Sequence, residues 1–264
     1  MSTLTISLIQ TSIFWEDIDK NLIMLEQKIN SLSGKTEVVV LPEMFSTGFT
    51  MQPELVAETM DGKTMGWLKS ISKKNRLIVT GSIVIKENGN YYNRLIWMQP
   101  DGKFYFYDKR HLFAFAGENE KYSPGNKRLI VSVKGWKINL LICYDLRFPV
   151  WSRQTKGESN EFDILIFVAN WPEKRINAWT TLIKARAIEN QAYAIGVNRV
   201  GKDENGIVYN GQSMIVDSLG ETIYENAKAE EIFTFKFESS VLDKTRAKFP
   251  FLKDSDDFKI LTGN

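Results

Sequence analysis

The sequence predicts an α/β fold of two sheets with helices outside them, and three observations carry that prediction. Short, wholly apolar runs such as Val38-Val39-Val40-Leu41 and Ile164-Leu165-Ile166-Phe167-Val168 read as strands buried on both faces. Turn signals at Asn88-Gly89, Pro100-Asp101-Gly102 and Lys134-Gly135 join other strands as antiparallel hairpins. Between these segments, apolar residues recur at helical spacing. Layered sheets with helices on their outer faces bury all three kinds of segment. With 264 residues and 43% hydrophobic content the chain can fill one large core, so residues 1–264 are read as a single domain.

Leu4, Ile6 and Leu8 alternate in period two and open the chain as a strand. Leu22, Leu25, Ile29 and Leu32 then mark an amphipathic helix, capped by Asp17 or Asp19. The apolar run 38–41 is a buried strand stopped by Pro42, and its end carries Glu43. Met65, Leu68 and Ile71 mark a second helix, residues 77–84 another buried strand, and 92–99 and 104–107 the strands that follow through the first two turns. Residues 129–133 and 136–142 form a hairpin whose second strand runs into Cys143; a short helix is expected from Pro149 to about residue 156. Ile176, Trp179, Ile183 and Ala187 share one face of a long helix ending near Gln191. Strands over 193–200, 211–217, 222–224 and 232–237 complete the second half. From Ser240 the tail is charged, with Phe249, Phe251 and Phe258 as isolated apolar anchors suited to covering a surface or a partner.

The 34 basic residues nearly balance 32 acidic ones and are scattered, which offers no electrostatic footprint for nucleic acid. The amino terminus lacks the basic and apolar regions of a secretory signal, and no apolar stretch approaches the ~18 residues of a membrane span. Cys143 is the only cysteine and His111 the only histidine, so neither a disulfide nor a structural zinc site can be assembled. A free thiol fits a reducing compartment, and a soluble cytoplasmic protein is expected.

Cys143 is therefore either core filler or a nucleophile. The order strand, Cys143, helix would present the sulfur on a sharp turn near backbone amides, but a nucleophilic thiol also needs a base or a positive neighbour. His111 is the usual type of base, and in an extended segment it would point the same way as Lys109. Glu43 is the better candidate, because a carboxylate at the mouth of an apolar strand either caps backbone or does acid–base work. Lys109, read alone, is a solvated charge at a strand end.

Taken together, three segments resemble the nitrilase superfamily of carbon–nitrogen hydrolases. Leu41-Pro42-Glu43 is similar to its glutamate motif, Asp108-Lys109-Arg110-His111-Leu112-Phe113 to its lysine motif, and Ile142-Cys143-Tyr144-Asp145-Leu146-Arg147-Phe148-Pro149 to its cysteine motif, in the family's order. The resemblance implies a four-layer α-β-β-α sandwich of two mixed sheets, with Glu43, Lys109 and Cys143 catalytic and Glu118 as a second glutamate before Ser123-Pro124-Gly125. Glu120 lies close enough to compete for that last role. It further implies a cysteine thioester, an oxyanion held by Lys109 and the backbone N–H of Tyr144, no metal or organic cofactor, and two subunits pairing with residues 240–264 at the interface. One departure is Val150-Trp151 after the Arg-Phe-Pro, where many relatives carry an acidic residue.

Ala169-Asn170-Trp171-Pro172 and Ala185-Arg186-Ala187-Ile188-Glu189-Asn190-Gln191 resemble the omega-amidase branch, which hydrolyses the terminal amide of 2-oxo dicarboxylic monoamides such as 2-oxoglutaramate. On that resemblance Phe45, Phe115, Tyr144 and Trp171 surround a small-molecule amide, although Phe45 and Phe115 are equally suited to the core. A substrate carboxylate calls for a basic partner, for which Arg110, Arg147 and Arg175 are candidates. A different hydrolase of the superfamily acting on another amide, nitrile or carbamoyl compound, a Cys143–His111 hydrolase, and a non-enzymatic scaffold on the same fold remain as alternatives.

Overall fold

In a computed structural model of the chain, which describes residues 2–155 and 160–261, the strands lie in two sheets. The first half consists of β1 (Thr3–Gln10), α1 (Ile18–Asn30), β2 (Val38–Val40), α2 (Pro53–Val56), α3 (Lys63–Asn75), β3 (Ile78–Glu87), β4 (Asn90–Met98), β5 (Phe104–Asp108) and α4 (Glu118–Lys121). The second consists of β6 (Ile130–Val133), β7 (Trp136–Ile142), α5 (Pro149–Ser152), β8 (Ile164–Ala169), α6 (Ile176–Asn190), β9 (Tyr193–Asn198), β10 (Val200–Lys202), β11 (Val208–Val216), β12 (Thr222–Ala227), β13 (Glu231–Glu238) and α7 (Ser239–Lys248). Among the described residues one sheet has six strands in the order β13-β1-β2-β3-β4-β5. The other has seven, in the order β10-β11-β9-β8-β7-β6 with β12 paired to β11. Both are mixed: β1, β2 and β3 are parallel, as are β7, β8 and β9, and the flanking pairs are antiparallel.

Period-two alternation sorts side chains between layers. Leu4, Ile6 and Leu8 of β1, Val38 and Val40 of β2, and Leu95 and Trp97 of β4 enter the core shared with the second sheet. Their neighbours Ile9, Val39, Ile96 and Met98 pack with Leu22, Leu25 and Ile29 of α1 and Leu68 and Ile71 of α3. On the far side α6 lays Trp179, Ile183 and Ala187 on the second sheet. Gly196 of β9 makes that approach possible, since a Cβ there would lie 2.5 Å from Trp179 Cζ2. The result is the expected α-β-β-α sandwich.

Local signals explain the element ends. Asp17, not Asp19, caps α1, its side chain accepting from Lys20 N at 3.0 Å. Asn88-Gly89 and Lys134-Gly135 both have two residues at positive φ, as a tight two-residue hairpin requires. Two expectations are corrected. The helix after Pro149 ends at Ser152, because Gln154 turns away to bond Asn190 through both its backbone N (2.7 Å) and its Nε2 (2.6 Å); residue 156 lies outside the described residues. The tail, expected only as a charged segment with isolated apolar anchors, begins as α7, which buries only Leu242 and so leaves no periodic apolar signal. Its Arg246 fixes it to its own chain, donating to Asp163 Oδ1 at 2.7 Å and to the carbonyls of Gln191 and Phe162. Among the described residues no helix is long and apolar enough to cross a membrane.

Candidate active site

The C-terminal ends of β2, β5, β7 and β8 converge, and each delivers one polar group. After β2, Pro42 stops the strand, Glu43 follows, and Met44 takes a positive φ of 45°. Glu43 and Phe45 then separate: Glu43 reaches the second sheet, while Phe45 is fully buried among Leu41, Ile83 and the helices, 6.0 Å from the Trp67 ring. Lys109 directly follows β5, where Arg94 of β4 grips Asp108 at 2.7 Å across the ladder and pins its register. Cys143 directly follows β7 and has φ 44°, a left-handed conformation unusual for a side-chain-bearing residue. It opens a single 3-10 turn, Cys143–Arg147. Asp145 holds the turn, accepting from Ile142 N at 3.0 Å, Tyr107 Oη at 2.7 Å and His111 N at 3.0 Å.

Lys109 Nζ donates to Glu43 Oε1 at 2.9 Å and to both oxygens of Glu118 at 3.0 and 2.9 Å. Phe113 N donates to Glu118 Oε2 at 2.6 Å. Glu43 Oε2 receives the backbone N–H of Asn170 at 2.8 Å, and Asn170 Nδ2 donates to the Glu43 carbonyl at 2.7 Å. Asn93 Nδ2 donates to Glu43 Oε1 at 2.8 Å and to Glu118 Oε1 at 3.3 Å. Glu43, Lys109 and Glu118 have no exposed surface. Glu120 makes no contact with Lys109, so the second glutamate in this network is Glu118.

Burial sets the ionisation of these groups. It would lower the Lys109 ammonium, but the charges of Glu118 and Glu43 outweigh it and hold the group above the ordinary lysine value. Burial raises Glu118, Lys109 opposes, and the Glu43 charge adds to the rise. The Cys143 thiol is pushed well up by burial and then by Glu43, with Lys109 pulling the other way. Both burial and the Glu43 charge favour the protonated thiol.

Cys143 opens onto a cavity of about 310 Å³, within the usual size for a small-molecule site. Tyr144 and Trp171 line it, as expected from sequence. Phe45 and Phe115 do not. Phe45 belongs to the helix-facing core, and Phe115 is 87% exposed on the turn Ala114–Ala116. Their places are taken by Phe49 and Phe113, which sequence reasoning missed; Lys109 Nζ lies 5.1 Å from the Phe49 ring centre. Arg147 and Arg175 both line the cavity, the first over Trp171 at 5.1 Å and the second over Phe113 at 5.0 Å. Arg110 is directed elsewhere, to the Gly125 carbonyl and the Trp151 ring. His111 is bound through Nδ1 to Asp145 at 2.8 Å and stacked on Phe148 at 3.8 Å, outside the cavity lining. Asn93 and Asn170 were also missed. The available signal for Asn93 was a polar residue poorly suited to strands inside Tyr92-Asn93-Arg94-Leu95-Ile96.

A family model described as carbon-nitrogen hydrolase matches residues 5–247. The chain belongs to that family. Among its relatives is the omega-amidase YafV of Yersinia enterocolitica, 42% identical over 99% of this chain and 100% of the relative. The 2-oxoglutaramate amidase of Bacillus subtilis is 33% identical over 95% of this chain and 96% of its own length. Among solved structures, XC1258 from Xanthomonas campestris, described as a CN-hydrolase superfamily protein with an arsenic adduct in the active site, superposes with a TM-score of 0.96. It is 40% identical, and the match covers 98% of this chain and 100% of that one.

Proposed function

We propose that this carbon-nitrogen hydrolase is an omega-amidase, releasing ammonia from the terminal amide of a small 2-oxo dicarboxylic monoamide such as 2-oxoglutaramate. The observation that carries the reading is the buried Glu43–Lys109–Glu118 network beside Cys143, opening on a cavity that also holds two arginines. Full-length similarity to omega-amidases supports the choice of substrate.

In this reading Glu43 takes the thiol proton as the Cys143 sulfur attacks the amide carbon. The oxyanion is stabilised by the Lys109 ammonium and the backbone N–H of Tyr144. Glu43 returns the proton to nitrogen as the C–N bond breaks, ammonia leaves, and a thioester remains. Glu43 then takes a proton from water, the resulting hydroxide adds to the thioester, and the acid departs as the thiol is restored. Glu118 touches no reacting atom; it anchors Lys109. Arg147 and Arg175, held by aromatic faces, are placed to receive the distal carboxylate, and Tyr144 and Trp171 flank the acyl chain.

The test is a panel of matched amides, nitriles and esters, read by ammonia or acid release and by intact mass for an acyl adduct on Cys143. The reading expects fastest turnover of 2-oxo omega-amides, an adduct absent from Cys143→Ala, and a KM increase in Arg175→Met or Arg147→Met confined to substrates bearing a carboxylate. Turnover of neutral amides at equal efficiency would overturn the substrate assignment. Family resemblance and the exposed Phe251 of the tail also support pairing of two copies through residues 240–261; a monomer by sedimentation at micromolar concentration would overturn that.

A further inference from the structure

Two carboxylates gathered around one ammonium leave an excess negative charge in a region closed to water. Such a pair has an easy way to relieve itself, which is to share a proton between facing oxygens. Glu43 in that state would carry a proton and could not take one from Cys143. The two oxygens that would share it, Glu43 Oε1 and Glu118 Oε1, instead both contact Asn93 Nδ2, at 2.8 and 3.3 Å.

We infer that Asn93 is a positioning residue whose amide N–H₂, beside the Lys109 ammonium that spans the same two oxygens, completes the donors on the carboxylate pair, so that Glu43 stays free to act on Cys143. The inference rests on Glu43 being the base in the reading above, and not on which amide is the substrate.

Several features fix Asn93 in this role. Only its NH₂ end can face two carboxylates, so its orientation is set by chemistry. With the NH₂ end committed to the carboxylates, its Oδ1 has no protein partner among the described residues. Its backbone is held as tightly as its side chain: Asn93 pairs with Val84 across β3–β4, and its carbonyl accepts from Lys109 N at 3.0 Å. The adjacent Arg94–Asp108 pair fixes the register, so Asn93 and Lys109 arrive at the carboxylates together. The other titratable groups around the pair are Lys109 after β5, Cys143 after β7, Tyr122 after α4, which donates to the Thr50 carbonyl, and Tyr209 of β11, which donates to Asp203. Of these only the Lys109 ammonium also reaches both Oε1 atoms, at 2.9 and 3.0 Å, so Asn93 Nδ2 is the neutral second donor to the pair.

The experiment measures the rate of Cys143 alkylation by iodoacetamide against pH, in the full chain and in Asn93→Ala and Asn93→Ser. In this reaction the S–C bond forms, iodide leaves with the C–I electron pair, and the thiol proton passes to Glu43. The acid limb of the profile should move up by about one pH unit in Asn93→Ala, because a lost donor to an ionised pair favours its protonated form. Asn93→Ser keeps one hydroxyl donor, so its limb should fall between those of Asn93→Ala and the unsubstituted chain, and it tests the inference even where Ala does not fold. A limb that stays in place while the rate drops at every pH overturns the inference, as does the absence of any acid limb in the unsubstituted protein. No amide enters the measurement, so a wrong substrate assignment would show in the panel and not here.

Discussion

Lys109 donates to both carboxylate oxygens of Glu118, at 3.0 and 2.9 Å, and neither side chain reaches solvent. Replacing the lysine removes the positive charge proposed for the oxyanion and leaves two carboxylates buried together. Lys109→Met is expected to lower kcat for amide hydrolysis by at least ~10²–10³, the typical loss for one oxyanion donor. It should also destabilise the fold by about 3–5 kcal/mol, the usual consequence of stripping one member from a buried ion pair. Ammonia release and the denaturant midpoint check the two effects separately. A rate within tenfold of the parent would remove Lys109 from the mechanism.

Glu43→Gln should make the Cys143 thiol easier to ionise and yet lower turnover. Burial is the main reason the Cys143 thiol stands well above its ordinary value, and the Glu43 charge is the next. Removing that charge takes away a cause of proton retention, so Cys143 in the variant ionises at lower pH than in the parent. Amide turnover nevertheless falls steeply, because no group remains to take the thiol proton and later activate water. Thiolate absorbance followed through a pH titration, beside ammonia release at fixed pH, distinguishes this from general damage to the site. If the variant thiol titrated higher, Glu43 would not be its electrostatic neighbour.

His111→Ala separates the carboxylate base from the histidine alternative. The ring Nδ1 donates to Asp145 Oδ1 and the ring stacks on Phe148, both of which shape the turn that carries Cys143. Its loss should lower stability by about 1.5–3 kcal/mol, the usual worth of a hydrogen bond to a carboxylate, while amide hydrolysis stays within about tenfold of the parent because the ring touches neither Glu43, Lys109 nor Glu118. An effect on turnover equal to that of Glu43→Gln would restore the histidine as base.

The fold was legible because its strands obey simple rules. Val38–Val40 and Ile164–Ala169 are apolar throughout and lie inside parallel runs, and Asn88-Gly89 supplies the two positive φ values its hairpin needs. Glu43 was legible as a carboxylate at a strand mouth, whereas Lys109 and Cys143 were assigned to catalysis only when their segments were matched to the family's motifs. The aromatic wall was not legible. Phe45 was expected there and Phe49 was not, and what turns Phe45 away is the positive φ at Met44, a backbone turn that no side-chain pattern announces. Phe115 and Phe113 differ by two residues on a 3-10 turn, where neither the helical nor the strand period applies. Asn93 escaped because its partners Glu43 and Glu118 lie 50 and 25 residues away and meet it only through tertiary structure. Residues 239–248 escaped because a helix pinned by Arg246 and burying only Leu242 leaves no apolar stripe.

Trp171 offers the sharpest test of how the cavity recognises its substrate. Its ring lies under the Arg147 guanidinium, its Nε1 donates to the Arg175 carbonyl at 2.8 Å, and its backbone N is held by Asn198 Oδ1 at 2.7 Å. One indole thus orients both arginines proposed for the distal carboxylate. Trp171→Ala would confound binding with the loss of a large buried side chain, about 3–5 kcal/mol. Trp171→Phe keeps an aromatic surface for Arg147 and removes only the bond to Arg175. In that variant KM for a carboxylate-bearing amide should rise about fivefold, the scale of one hydrogen bond at roughly 1 kcal/mol, with kcat little changed. A neutral amide of the same length should keep its KM, because it makes no use of Arg175. Phe115→Ser, altering a side chain 87% exposed, should leave both substrates unaffected. Equal KM increases for the charged and neutral amides in Trp171→Phe would mean that the indole shapes the cavity without orienting Arg175.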